Sequence, residues 1–291
     1  METKKTVAIV SPANFPSKEK YEKGLEILRQ YSIPFKSYVD FSKTSPGFKA
    51  FLLYELITNK DFFYIWTARG GFGSIKLLPY LDELLSDVKN LKFHPYLIGF
   101  SDITALHLYF YKKFNKPGIH APMIADLPNL DKNTTKKLFE ILFRDKNIYL
   151  EGKGYQEGEI EGVLLGGNLI TIASLCGTPY FPYVDGIILF IEDINEKLYR
   201  LERALIQAIF TLGKEKIKAL IIGDLGGEDP LNFLGNIKEF LPQHMPIGYE
   251  FPIGHNSKNY PVIIGKRAYL KIKNNKAELY QKNFFLDNFL K

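Results

Sequence analysis

Two near-continuous apolar runs, FFYIWTAR at 62–69 and PYLIGFS at 95–101, constrain what this chain can fold into. A strand with one wet face alternates polar and apolar side chains, so a strand without alternation must be covered on both faces. Each run gives way at once to a helical pattern. The same rhythm precedes them: TVAIVSP (6–12) reads as a strand, KEKYEKGLEILRQYS (18–32) as a helix, PFKSYV as a second strand and FKAFLLYELITNK as a second helix. This alternation predicts an α/β fold, an N-terminal open parallel sheet flanked by helices. Ligands in such folds bind at the carboxyl ends of strands.

The alternation is interrupted between 130 and 155 by a polar, turn-rich stretch around one helix. We place the boundary there, with a first domain at 1–150 that includes this linker and a second, smaller α/β domain at 151–291. The second part reads as a strand GIILFIED (186–193), then an amphipathic helix at 196–212 with Leu198, Leu201, Leu205, Ala208, Ile209 and Leu212 on one face. A strand IKALIIGDL, a helix NFLGNIKEFL and two or three short strands in YPVIIGKRAYLKIKNNKAELYQ follow. A chain of 291 residues, 46% hydrophobic and 24% charged, is long enough for two such cores.

Several classes drop out. The apolar run near the N-terminus is too short for a signal peptide, and no stretch approaches the roughly 18–20 apolar residues of a membrane helix. The expectation is a cytoplasmic protein with no membrane partner. Cys176 is the sole cysteine, which excludes an intramolecular disulfide and a multi-cysteine metal site. The net charge of +6, from 38 basic and 32 acidic residues, is spread over scattered lysines and reads as a solvated surface, with no nucleic-acid partner.

Ser101 ends an apolar strand and begins a helix. There a serine serves as a helix cap, or it stands as a nucleophile beside N–H groups that can bind an oxyanion. A nucleophilic serine needs a base, usually a histidine oriented by a carboxylate. His94 and His120 flank this strand–helix unit, His107 lies along the helix, and His244 sits in a proline-flanked loop. His255, in PIGHNSKNYP with Gly254 beside it, is the best placed as a loop histidine at a strand end. Glu192 and Asp193 finish the run GIILFIED; with opposite orientations along a strand, one can serve chemistry while the other caps the next helix. ARGGFGSIKL (68–77) follows a strand with successive glycines. It reads as a phosphate loop, an oxyanion donor or a plain tight turn, and it lacks a complete phosphate or dinucleotide fingerprint. Cys176 lies in an apolar pattern and reads as a buried structural thiol.

Taken in order, these segments resemble the LD-carboxypeptidases, serine peptidases that include the microcin C self-immunity proteins. VAIVSPA resembles the family's first strand, IWTARGGFGS its glycine loop, LIGFSDITALHLYFY its nucleophile segment and GIHAPM the segment after it. LLGGNLITIASLCGTPYFP and LFIEDINEKLYRLERALIQ resemble the start of the second domain, and PIGHNSKNYPVIIG the histidine loop. Two departures stand out: Ala121 replaces the usual glycine in GIHAPM, and FSKTSPGFKAF lacks the usual Gly-Thr/Ser-Asp-x-x-Arg pattern.

The resemblance implies Ser101 as nucleophile, Glu192 as orienting acid and His255 as general base, with an oxyanion hole from the backbone N–H groups of Gly71 and Asp102. It implies that Ser101 lies in the first domain and Glu192 and His255 in the second. It further implies a homodimer with no metal and no cofactor. The implied substrate is a murein tetrapeptide cut at its terminal L-to-D amide bond, releasing D-alanine in cell-wall recycling. Arg69 and Arg203 are candidates to bind the substrate carboxylate or to tie the domains together. The rival readings are an amidase acting on peptidyl-nucleotides, which calls for an aromatic side chain to stack on the base, and a ligand-binding module without catalysis. Trp66, the single tryptophan, lies inside a strand, which counts against the amidase.

Overall fold

The computed structural model describes residues 5–91 and 95–283, and the chain divides into two units, Met1–Leu130 and Asp131–Lys291. In the first, the apolar runs are strands buried along their whole length: β1 (Val7–Val10), β3 (Tyr64–Thr67), β4 (Tyr96–Ile98) and β5 (Gly118–His120). With β2 (Phe35–Ser37) they pair in the order β5-β4-β3-β1-β2, every pair parallel, so that Val7 lies opposite both Phe35 and Tyr64. The connections leave β1 for one edge and β3 for the other. The carboxyl ends of β1 and β3 therefore flank the point where strand order reverses, the place such sheets offer a ligand.

The helices follow from caps and spacing. In α1 (Lys18–Gln30) the Ser17 hydroxyl accepts the Lys20 N–H, and Tyr21, Gly24, Leu25 and Leu28 form the buried stripe. Ser45 caps α2 (Pro46–Thr58), with proline at the first helical position. A short α3 (Leu78–Leu84) follows the glycine loop. In α4 (Thr104–Phe114) every residue from Thr104 to Tyr111 is buried, together with Phe114, so this helix runs through the core.

The second unit opens with α5 (Lys132–Phe143), capped by Asp131. Its strands are β6 (Ile148–Gln156), β7 (Gly158–Asn168), β8 (Ile187–Glu192), β9 (Ile217–Ile222), β10 (Ile247–Tyr249), β11 (Val262–Ile264), β12 (Lys266–Lys273) and β13 (Lys276–Gln281). Seven of them close into a barrel in the order β10-β6-β13-β12-β7-β8-β9. The arc β7-β8-β9-β10 is parallel and the remaining pairs are antiparallel. Helices α6 (Leu169–Leu175), α7 (Leu198–Leu212) and α8 (Pro230–Ile237) connect the parallel strands.

Three features differ from the sequence reading. The chain divides at Leu130, at the start of the 130–155 stretch in which the boundary was expected and ahead of residue 150, which falls inside β6. The second unit is the longer of the two, not the smaller. The stretch EGKGYQEGEIEG, read as turn-rich, lies in two long barrel strands, β6 and β7, which pair with β13 and β12 rather than with each other. Its glycines let backbones close in rather than turn: a Cβ at Gly152 would lie 2.7 Å from the Tyr249 carbonyl, and one at Gly154 would lie 2.6 Å from Ile272. Among the described residues no helix is long and apolar enough to cross a membrane.

Candidate active site

Ser101 sits where β4 passes through Gly99 and Phe100 into a 3-10 turn, Ser101–Ile103, ahead of α4. Its φ of 60° is left-handed, a conformation that costs a non-glycine residue roughly 1–2 kcal/mol and persists only where the surroundings impose it. They do so from several sides. The Thr67 hydroxyl donates to the Ile98 carbonyl at 3.0 Å, and His107 Nε2–H donates to the Gly99 carbonyl at 2.9 Å. Gly118 leaves the space the imidazole fills, since a Cβ there would lie 2.1 Å from His107 Nδ1. Burial lowers the His107 pKa to about 4, so the ring is a neutral fixture under the turn.

The glycine loop lies against this turn. A Cβ on Gly70 would come within 3.1 Å of Ser101 Cβ and 3.3 Å of its Oγ. Gly71, at φ 103°, is packed by Asn14, whose N–H donates to the Gly70 carbonyl at 3.2 Å. The buried Asp102 Oδ2 accepts the Ser74 N–H at 2.8 Å. Burial pushes the Asp102 carboxyl up, while its hydrogen bonds from Ser74 and Gly73 and the charge of Lys49 pull it back. The first unit thus brings Ser101, Gly71 and Asp102 together. The Arg69 side chain is exposed and donates to the Phe15 carbonyl at 3.2 Å.

In the second unit, Glu192 is the last residue of β8 and is fully buried. Its Oε2 accepts the His255 Nδ1–H at 2.7 Å, and the imidazole retains 15% exposure. A proton held at Nδ1 puts the basic lone pair on Nε2. Burial pushes the Glu192 carboxyl up; the hydrogen bond and charge of His255 hold it down, and Asp193 and Asp224 push it up further. The other oxygen, Oε1, is buried without a hydrogen-bond partner among the described residues. Gly254 makes the approach possible: at φ 133°, a Cβ there would lie 2.7 Å from Asp224 Cβ. Its N–H donates to the Asn259 side chain at 3.1 Å.

Asp193 is the capping member of the acidic pair, but it serves α6 rather than the following helix. Its Oδ2 accepts the Ile170 N–H and its Oδ1 the Ile194 N–H, each at 2.8 Å. Arg203 is exposed on α7, its guanidinium over the Tyr199 ring at 5.6 Å. His120 is buried in β5 with its ring edge-on to Phe100, and His244 turns a proline-flanked corner at φ 61°. His94 lies outside the described residues. Cys176 is half-buried with its thiol against the Ile172 carbonyl, and burial raises its pKa, which fits a structural thiol. Trp66 is fully buried, its indole N–H donating to the Pro122 carbonyl at 2.8 Å. Among the described residues no group of three or more His, Cys, Asp or Glu side chains is placed to hold a metal ion. Asn14 and Lys49 support the site from positions that neither spacing nor residue type announced, and His107, weighed among the histidines of the sequence, does so as a packed neutral ring.

The first unit places a serine of left-handed backbone beside the glycine loop, and the second an imidazole hydrogen-bonded to a buried carboxylate, side-chain types that can serve acyl transfer. The family model described as the LD-carboxypeptidase N-terminal domain matches residues 7–121, and the C-terminal domain model matches residues 161–270. A Rickettsia prowazekii protein named as a carboxypeptidase is 30% identical over 78% of this chain and 74% of its own length. The murein tetrapeptide carboxypeptidase of Pseudomonas aeruginosa is 28% identical over 75% of this chain and 76% of that one. The crystal structure of a muramoyltetrapeptide carboxypeptidase from Oxalobacter formigenes superposes with a TM-score of 0.82 at 26% identity, covering 94% of this chain and 98% of that one. MccF in complex with glutamyl sulfamoyl guanosine has the same fold, with a TM-score of 0.80 at 20% identity over 97% of this chain and 98% of that one.

Proposed function

Since this chain belongs to the LD-carboxypeptidase family, we propose that it is a serine peptidase that cuts the terminal L-to-D amide bond of a murein tetrapeptide and releases D-alanine. The observation that carries the reading is the Glu192–His255 pair, a fully buried carboxylate 2.7 Å from an imidazole nitrogen. The names of the Pseudomonas and Oxalobacter relatives support the substrate.

Ser101 Oγ attacks the amide carbonyl carbon while His255 Nε2 takes its proton. Glu192 fixes the ring and stabilises the imidazolium. The oxyanion is held by the N–H groups of Gly71 and Asp102. The imidazolium then protonates the leaving amine and the C–N bond breaks. Water, deprotonated by His255, hydrolyses the acyl-enzyme to the tripeptide acid and restores Ser101. Arg69 or Arg203 supplies positive charge for the substrate carboxylate. The protein works as a cytoplasmic homodimer, which light scattering and cell fractionation would test. Trp66 is committed to the core and so does not supply the stacking side chain that the peptidyl-nucleotide reading calls for.

Incubation with L-Ala-γ-D-Glu-meso-diaminopimelate-D-Ala, with Ser101→Ala as control, tests the function. Free D-alanine from the parent and none from the variant is the expected result. Turnover by Ser101→Ala would refute the nucleophile, and no release from the parent would refute the substrate.

A further inference from the structure

Lys49 has a chemistry that its helix does not explain. It lies in the first turn of α2, where a cation meets the positive end of the helix dipole and is disfavoured. It is half-buried, and burial pushes its pKa down while the Asp102 carboxylate pushes it back up. Its ammonium donates to the Ala13 carbonyl and lies 4.4 Å from the centre of the Phe15 ring. The side chain is thus drawn away from solvent onto the loop that follows β1.

That loop braces the glycine loop along its length. Ala13 packs on Gly73, where a Cβ would lie 3.7 Å from the Ala13 Cα. Asn14 donates to the Gly70 carbonyl and packs on Gly71, and the Phe15 carbonyl holds Arg69. The far end of the glycine loop is held by Asp102 through Ser74 and Gly73. Lys49 acts on both supports: by a hydrogen bond on the Ala13–Phe15 loop, and by charge on Asp102.

We propose that Lys49 is a positioning residue for the oxyanion hole, fixing the Gly71 N–H relative to the Asp102 N–H through the Ala13–Phe15 loop. The proposal rests on the reading of Ser101 as nucleophile. Its effect belongs in the transition state, where the oxyanion forms, and not in substrate binding. Loss of an oxyanion donor costs about 10²–10³ in kcat, and a displacement of about 1 Å can cost 10²; a loosened loop therefore loses roughly 10- to 100-fold.

The experiment compares the parent with Lys49→Met, Lys49→Gln and Lys49→Arg in two readouts: kcat and KM for D-alanine release, and the rate of Ser101 labelling by a fluorophosphonate, which needs no peptide. Lys49→Met is expected to lose roughly 10- to 100-fold in kcat and in labelling rate with KM within about twofold, Lys49→Arg to stay within about threefold of the parent, and Lys49→Gln to fall between. Parent-like kcat and labelling in Lys49→Met would overturn the proposal. So would a change confined to KM, or equal losses in Lys49→Met and Lys49→Arg. Should Lys49→Met fail to fold by circular dichroism, the Gln and Arg variants carry the same comparison. Ser101→Ala in parallel separates the two failures: if it still labels or turns over, the nucleophile reading falls whatever Lys49 does.

Discussion

Replacing Glu192 by glutamine should lower activity and remove one pH-dependent contribution to stability. The carboxylate is fully buried, so no solvent screens its pairing with His255, and at 2.7 Å it is a short, charge-assisted hydrogen bond. Exchanging it for a neutral acceptor forfeits about 1.5–3 kcal/mol of stabilisation of the imidazolium, which is roughly tenfold to more than a hundredfold in kcat. If the amide instead presents its NH2 to Nδ1, the ring adopts the other tautomer and the loss approaches about 10⁴. Stability responds through its pH dependence. Burial raises the native Glu192 pKa above its ordinary 4.5, so the native state holds that proton more tightly than the unfolded chain. The contribution of this group is therefore most favourable below the unfolded pKa and declines as pH rises through the native one. Glutamine does not titrate, so the Tm of Glu192→Gln relative to the parent should rise as pH goes from 4.5 towards 7. Steady-state D-alanine release and thermal melts across that range read both quantities. Parent-like kcat would refute the role of the charge, and a relative Tm that falls with rising pH would refute the account of its burial.

Ser101→Gly and Ser101→Ala both remove the hydroxyl, but only glycine relieves the left-handed backbone. Relief of about 1–2 kcal/mol less the roughly 0.5–1 kcal/mol entropic cost of glycine leaves Ser101→Gly up to about 1.5 kcal/mol more stable than Ser101→Ala in denaturant unfolding. Gly254→Ala forces a Cβ to within 2.7 Å of Asp224 Cβ at a φ of 133°, and should cost roughly 1–3 kcal/mol of stability and move His255 away from Glu192. Unfolding curves together with kcat measure that loss; a stable, fully active Gly254→Ala would contradict the packing argument.

What could be read from the sequence was what local chemistry forces. Strands buried on both faces cannot alternate, so β3, β4 and β8 announce themselves, and with them the positions of Glu192 at the end of β8 and of Ser101 just past β4. The barrel strands β6 and β7 were hidden because their glycines and charges mimic a loop, while their pairing with β13 and β12 joins segments more than a hundred residues apart. Asp193 illustrates a subtler loss: its capping role was legible, but the helix it caps precedes it in the chain, and proximity in sequence suggested the one that follows. Lys49 and Asn14 left no trace, since their roles depend on loops from three strand ends meeting at one point of the sheet.

The closed barrel also divides the second unit into regions of unequal tolerance to sequence drift. Strands β6, β12 and β13 turn alternate side chains outward, and exchangeable ion pairs such as Lys276–Glu151 and Arg267–Glu161 ride on that surface. Exposed pairs of this kind contribute little, so those positions can vary while the strands hold their register. Strands β8 and β9 have almost no outward position to spare, and β8 carries Glu192 at its tip. With β7 and β9 hydrogen-bonded on either side, β8 has no edge from which it could slip or be re-paired. Descendants of this sequence can therefore rewrite the antiparallel wall freely, while the strand that aims the carboxylate admits little beyond one apolar residue for another.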